Sequence, residues 1–394
     1  MAVQGVFTSD AHIVGNRKGD FAGALLQLYP TGNAPLFALS SGMESDSAQD
    51  VMVVWFEENK LTGRAEIASF VTDGDGTGVV VDDASQYVPG VILLEEDTGE
   101  FLLVTAANVS SNTLTVTRSI DGAGAVTMTV GDHLQRIGTA YEESSDRPTA
   151  LVNLGKTVFN YTQIFRNVWD VSGTAQAVAY YTGSVVAKNR SDCALFHSED
   201  IERAMWRGSK AIGTLNGRPF RLADGMYSMI QTNVDAAGAT TDYNDLDEFF
   251  LAIFSKNIRG KPNERIAFTG NKGLQVLNQI ALLQSEMTIM PGVTEFGMQV
   301  MRWITPYGTV SLMTHPLFTE SPFWTGDLVI LHPGAIRTRW LRRTLIDDYD
   351  KNGTRAGRDG DFGTYTSELT FEYRAEQTGG ILTGLTEGIA IAAP

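Results

Sequence analysis

The sequence predicts an α+β chain of several domains, and three observations carry that expectation. Its 394 residues exceed what one small core accommodates. Over residues 70–138, short β-branched runs alternate with turn clusters, the pattern of a small antiparallel sheet. From Thr174 to about Ala211, apolar residues recur three and four positions apart, the pattern of a helix with one buried face.

Residues 1–40 mix glycine, polar residues and short apolar groups, broken by Pro30 and Pro35. They read as an extended arm that cannot bury its own surface. Residues 51–70 read as a strand, a turn near 59–63 and a returning strand. The β stretch that follows is separated by DGDGTG, EEDTGE, SSN and DGAG. It carries ten acids against Arg118 and Arg136, a net −8 that is half of the chain's −16. Such a module should face solvent and not an anionic polymer. Residues 144–148 read as a linker.

Ser172 or Thr174 suits a helix N-cap, with a break expected near Gly183. Ile201, Ala204, Met205, Gly208, Ala211 and Ile212 fall on one face, and Glu199 is placed to pair with Arg203 one turn on. Further helices are expected over 245–255 and 272–283. Strands are expected over 264–268, over 298–304 and 308–313 flanking Pro306-Tyr307, and over 327–331, 336–345 and 366–374. No internal repeat is evident.

Composition excludes several function classes. A chain at −16 lacks the positive footprint that grips phosphate. One cysteine, Cys193, permits no intrachain disulfide and no CxxC metal site. The start shows no basic-then-apolar leader, and the longest strongly apolar run, 51–56, is far short of a membrane span. Cytoplasmic synthesis without a membrane partner is the expectation. No nucleophile-elbow, zinc-protease or phosphate-loop motif occurs. The histidines His12, His133, His197, His315 and His332 are scattered, so no enzyme activity and no cofactor are expected.

Four local features remain. Asp348, Asp350 and Asn352, with Asp359 at the twelfth place, approach a calcium loop, in which alternate oxygen ligands surround the ion. Arg355 and Arg358 put two positive charges inside it, and a solvated loop is the better reading. Arg337, Arg339, Arg342 and Arg343 form a basic cluster. They could touch DNA, but pairing with acids of another protein surface is favoured. Trp55 and Phe56 are aromatics on a segment with little local core, as interface anchors are. Lys60 lies in the same segment.

Short stretches in a shared order resemble one family. Asn160-Tyr161-Thr162-Gln163-Ile164-Phe165 followed by Val171-Ser172-Gly173-Thr174-Ala175 resembles tailed-bacteriophage major capsid proteins of the Hong-Kong-97-type shell fold. Trp55-Phe56-Glu57-Glu58 resembles the aromatic–acidic step near that family's extended loop. Gly99-Glu100-Phe101-Leu102-Leu103-Val104-Thr105 and Leu114-Thr115-Val116-Thr117-Arg118 resemble its β module. Glu368-Leu369-Thr370 and Gly380-Ile381-Leu382-Thr383-Gly384-Leu385 resemble its C-terminal strand. The loop over 346–362 is long for the pattern.

The resemblance implies an N-terminal arm over 1–40, an extended-loop region over 41–69 and an inserted acidic β module over 70–138. A peripheral domain with a long spine helix follows over 139–212, then an axial domain over 213–335. C-terminal strands over 336–394 return to the peripheral domain. It also implies a virion shell of homo-hexamers and homo-pentamers, assembled in the host cytoplasm, that holds double-stranded DNA by enclosure. Portal and possibly scaffold or decoration proteins are the implied partners. Some relatives join subunits by lysine–asparagine bonds, but Lys60 has no paired context for one. The rival readings are another phage structural part, a tail or decoration protein, and a hydrolase without a recognisable motif.

Overall fold

A computed structural model describes residues 45–58, 60–69, 77–180, 183–238, 241–283, 289–290, 294–295, 298–299, 301–349 and 359–386. The arm expected over 1–40 lies outside the described residues. The chain divides into two compact units, Trp55–Val158 and the remainder.

Ser45–Ser47 (β1) precedes the inserted unit, and Met52–Glu57 (β2) leads into it. That unit holds Arg64–Glu66 (β3), Gly78–Val80 (β4), Val91–Glu95 (β5), Phe101–Asn108 (β6), Thr113–Thr117 (β7) and His133–Thr139 (β8). They form one six-stranded sheet in the order β3-β8-β5-β6-β7-β4, antiparallel at every step. Period-2 alternation sends Val91, Leu93, Leu102, Val104, Leu114, Val116 and Leu134 to one core. The hairpin expected around 59–63 does not form: β2 pairs with Lys156–Tyr161 (β9), and β3 pairs with β8. Ala65 and Ile67 are buried in the module core, a position that pairing β3 with β2 would deny them.

The larger unit has two sheets. Gln163–Ser172 (β10) joins two 14-residue strands, Ile336–Tyr349 (β21) and Gly360–Tyr373 (β22), in the order β1-β21-β22-β10. Helix Gly173–Ala177 (α1) is capped by Ser172. The long helix Val185–Arg207 (α2) is capped by Ser184 and packs on β10 and β22. Gly183, at φ +91°, separates the two, as the sequence suggests. Glu199 and Arg203 meet at 3.0 Å.

Helix α2 stops at Arg207, four residues before the expected end. A side chain at Gly208 would stand 2.4 Å from the Ala223 carbonyl, and that close approach turns the chain. Ala211–Leu215 (β11) and Arg218–Leu222 (β12) then form a separate hairpin. Its turn, Asn216 at φ +51° and Gly217 at φ +73°, is the left-handed pair that matches strand twist.

After Met226–Met229 (α3) comes a seven-stranded mixed sheet. Its members are Val234–Ala236 (β13), Glu264–Thr269 (β14), Ile289–Met290 (β15), Met301–Ile304 (β18), Thr309–Thr314 (β19), Leu328–Leu331 (β20) and Gly380–Thr383 (β23). The small strands Thr294–Glu295 (β16) and Met298–Gln299 (β17) pair with each other. Tyr243–Phe254 (α4), opened by an Asp242–Asp245 capping box, and Asn271–Leu283 (α5) share a core with this sheet through Leu246, Phe250, Val276, Leu277 and Ile330. The short helix Pro316–Glu320 (α6) follows β19. The last strand corrects one expectation. Residues 380–383 leave the long sheet and pair with β20 and β13, because Ile381 and Leu382 bury on both faces there.

Candidate functional site

Among the described residues, groups that resemble catalytic sets serve as buried braces. Ser367 Oγ lies 2.7 Å from His197 Nε2, and His197 Nδ1 lies 2.7 Å from Asn167 Oδ1. The arrangement imitates a nucleophile–base–orienter set. Ser367 and His197 are nevertheless buried between β22 and α2, where no substrate reaches the hydroxyl. His315 Nε2 meets Glu202 Oε1 at 2.7 Å with no exposed surface on either side chain. Burial raises the Cys193 thiol, which leaves it a poor nucleophile. A cavity of about 380 Å³ beside α5 is lined by Leu274, Leu277, Trp303 and Leu312 with the amides Asn271, Gln275 and Asn278, a set without a titratable side chain.

His332 gives a pH prediction. Its Nδ1 accepts from the Gly334 amide at 3.0 Å. Burial, helped by the nearby charge of Arg265, pushes it down from 6.5 to about 4. The folded state therefore favours the neutral ring. The associated stability is present above pH 6.5 and is lost as pH falls toward 4, amounting to about 3 kcal/mol at 1.36 kcal/mol per unit. His197, also lowered by burial, adds in the same direction. Urea unfolding of the unassembled subunit between pH 7.5 and 4.5 should show this loss, and His332→Gln should flatten it. Parallel profiles for both proteins would refute the assignment.

Of the four calcium-loop candidates, Asp348 and Asp359 fall among the described residues. Asp348 pairs with Arg190 at 2.8 Å, and the Asp359 carbonyl accepts from the Gly173 amide at 3.2 Å. Asp350 and Asn352 lie outside the described residues. A different cluster, Glu95, Asp97 and Asp132, brings carboxylate oxygens within 4.8 Å of one another. These oxygens tie loops. Glu95 accepts from the Asp97 amide at 3.0 Å and from the Thr98 amide at 2.5 Å, and Asp132 accepts from the Thr129 hydroxyl at 2.8 Å. Asp97 is raised by burial and by the charges of Asp132 and Glu95.

Two of the four clustered arginines, Arg339 and Arg342, are engaged within their own chain. Arg339 Nε donates to Glu372 at 2.6 Å, and its other end reaches Asp46 on β1. Burial lowers the Arg339 guanidinium, but Glu372 and Asp46 outweigh that and raise it. A bulge after Trp340 turns Arg342 onto the same face, where it meets Glu368 at 2.7 Å. Arg374 adds to Glu372 at 2.8 Å and Arg221 to Glu368 at 3.7 Å. Arg337 stands opposite Glu372 in register, and Arg343 is exposed. Sequence reading missed the partners, because Glu368 and Glu372 arrive from another strand about thirty residues later.

Strand β2 divides the two expected anchors. Trp55 is 4% exposed and donates to Glu57 at 2.9 Å, so it is spent within its own chain. Phe56 is 79% exposed, on the face that also exposes Met52 and Val54. Lys60 is exposed nearby. Asn160, from the stretch that carries the resemblance, has no exposed surface. Its amide nitrogen donates to the Phe371 carbonyl at 2.9 Å and the Asp224 carbonyl at 3.2 Å, while its oxygen accepts from the amides of Tyr161 and Asp224 at 2.8 Å. It pins β9 to β22.

A sequence profile described as the SU10 major capsid protein matches residues 4–386. The chain belongs to the SU10 major capsid protein family. It is 28% identical over 398 residues to the major capsid protein of Pseudomonas phage PaMx41, covering 95% of this chain and 94% of that one. Solved structures that it resembles include the capsid of a native GTA particle, at TM-score 0.49 and 5% identity over 98% of this chain and 100% of that one. The capsid of Myoviridae phage XM1 aligns at TM-score 0.45 and 10% identity over 93% and 97%. The family is one of structural shell proteins, consistent with a chain whose acid–base groups are committed to holding it together.

Proposed function

We propose that this major capsid protein assembles into an icosahedral shell of hexamers and pentamers, with the Hong-Kong-97-type layout, around double-stranded phage DNA. The family match over residues 4–386 carries this reading. Residues 1–40 serve as the arm and 41–69 as the extended loop, which bears the acidic module over 70–138. Helix α2 is the spine of a peripheral domain over 139–212. The axial domain covers 213–335, and the strands over 336–394 complete the subunit. Portal, scaffold or decoration proteins are further partners, and assembly takes place in the bacterial cytoplasm. DNA is held by enclosure: Arg339 and Arg342 spend their charge on Glu372 and Glu368, and the chain is at −16.

Met52, Val54 and Phe56 support a lateral contact, since a ribbon of exposed apolar side chains without a core behind it gains stability against a partner. Electron microscopy of the purified chain is the direct test, with closed shells expected. Phe56→Ala should weaken each contact by about 2–4 kcal/mol and leave the melting temperature of the unassembled subunit unchanged. Shells of wild-type yield and heat resistance from that variant would remove the ribbon from the interface.

A further inference from the structure

The hairpin over 211–222 is unfinished in the isolated subunit. Among the described residues, strands β11 and β12 pair only with each other, and a two-stranded ribbon by itself is marginal in water. Residues opposite one another share a face: Ala211 with Leu222, Gly213 with Phe220, Leu215 with Arg218. The Phe220 ring crosses over Gly213, where a Cβ would stand 2.5 Å from it. The resulting face runs from Leu222 through Phe220 and Leu215, which is 65% exposed, to Arg218 at the tip. Residues 211–222 contain two arginines and no acid. Arg218 is exposed and enters no ion pair among the described residues.

We infer that this face is an interface with a second copy of the chain, and that its occupant is the β7–β8 connection of that copy. Residues 118–132 expose Ile120, Val126 and Val130 beside the exposed carboxylate of Asp121, within a module at −8. Apolar and acidic surface thus stands ready for apolar and basic surface. The connection is also held rigid. The buried Glu100 carboxylate accepts from Arg118 Nε at 3.0 Å, the Ser119 amide at 3.1 Å and the Val126 amide at 2.9 Å, so little ordering cost remains on docking. Arg118 is consumed by this role, which leaves Asp121 as an exposed charge of the segment.

This inference rests on the shell reading and is tested apart from it by charge exchange. Arg218→Glu, Asp121→Arg and the double variant would be compared with wild type by sedimentation at low salt. Each single variant should raise the concentration at half-assembly about tenfold, and the pair should restore it to within about threefold, since a close charge pair is worth a tenfold factor or more. Leu215→Asp, away from that pair, should abolish assembly, with subunit melting temperatures confirming folding. Failure of wild type to assemble would strike the shell reading. Normal wild-type shells with an Arg218→Glu variant that assembles equally well, or with a double variant no better than the singles, would overturn the docking inference alone.

Discussion

Glu202→Ala should lower the stability of the unassembled subunit by about 3–5 kcal/mol. Glu202 on α2 has no exposed surface, and neither do His315 and Trp206. His315 Nδ1 accepts from the Leu317 amide at 3.2 Å as the cap of α6. Its proton therefore sits on Nε2, 2.7 Å from Glu202 Oε1. Trp206 Nε1 donates to the same oxygen at 2.9 Å. Removing the carboxylate takes away the acceptor shared by Trp206 Nε1 and His315 Nε2, which themselves lie 2.9 Å apart, at about 1–3 kcal/mol for each buried donor left unpaired, and opens a cavity among the rings of Trp206, Phe268 and Phe318. Glu202→Gln keeps an acceptor in place and should cost far less, about 1 kcal/mol. Urea unfolding under non-assembling conditions measures both. Equal losses for Ala and Gln would mean that shape alone matters, contrary to the hydrogen-bond account.

The second large effect belongs to Arg265. This guanidinium is fully buried on β14, and among the described residues it forms no ion pair. It donates instead to three carbonyls: Thr378 at 2.9 Å, Glu264 at 3.1 Å and Lys256 at 2.9 Å, while lying 5.0 Å from the Phe254 ring centre. Burial lowers its proton affinity, yet a guanidinium remains charged in proteins. The fork thereby ties the exit of α4, strand β14 and the turn that leads into β23. Arg265→Ala removes the donors from three carbonyls, one of them buried and two part-buried, and leaves a void, an expected loss of about 3–5 kcal/mol. Arg265→Lys retains charge but cannot span the three directions, and should recover less than half of that. A lysine variant as stable as wild type would show that the charge, and not the fork, is what the site uses.

Local signals were read well where the chemistry is local. The Glu199–Arg203 pair, the Ser172 cap, the Gly183 break, the helices near 245 and 272, and the buried run at 328–331 all depend on neighbours within a few residues. Two local signals were passed over. Asn216-Gly217 marks a tight hairpin, and Gly208 marks the helix end, but the three-and-four spacing of Ala211 and Ile212 carries the helix reading past Gly208 to the edge of that hairpin. The site was less legible. Trp55 and Phe56 are adjacent and chemically alike, and only the pleat of β2 buries one and exposes the other. The arginine row is visible in the sequence, whereas Glu368 and Glu372, which pair with Arg342 and Arg339, come from a strand that pairs at long range.

The sequence by itself determined the α+β class, the acidic β module and the family resemblance, because composition, period and turn chemistry act over a few residues. Tertiary structure alone decided that β2 pairs with β9, that residues 380–383 leave the long sheet, and that Arg339 and Arg342 face carboxylates of their own chain. Those outcomes depend on which distant segments can bury apolar faces together and satisfy the backbone between them, and the short-range pattern of residues does not encode that choice.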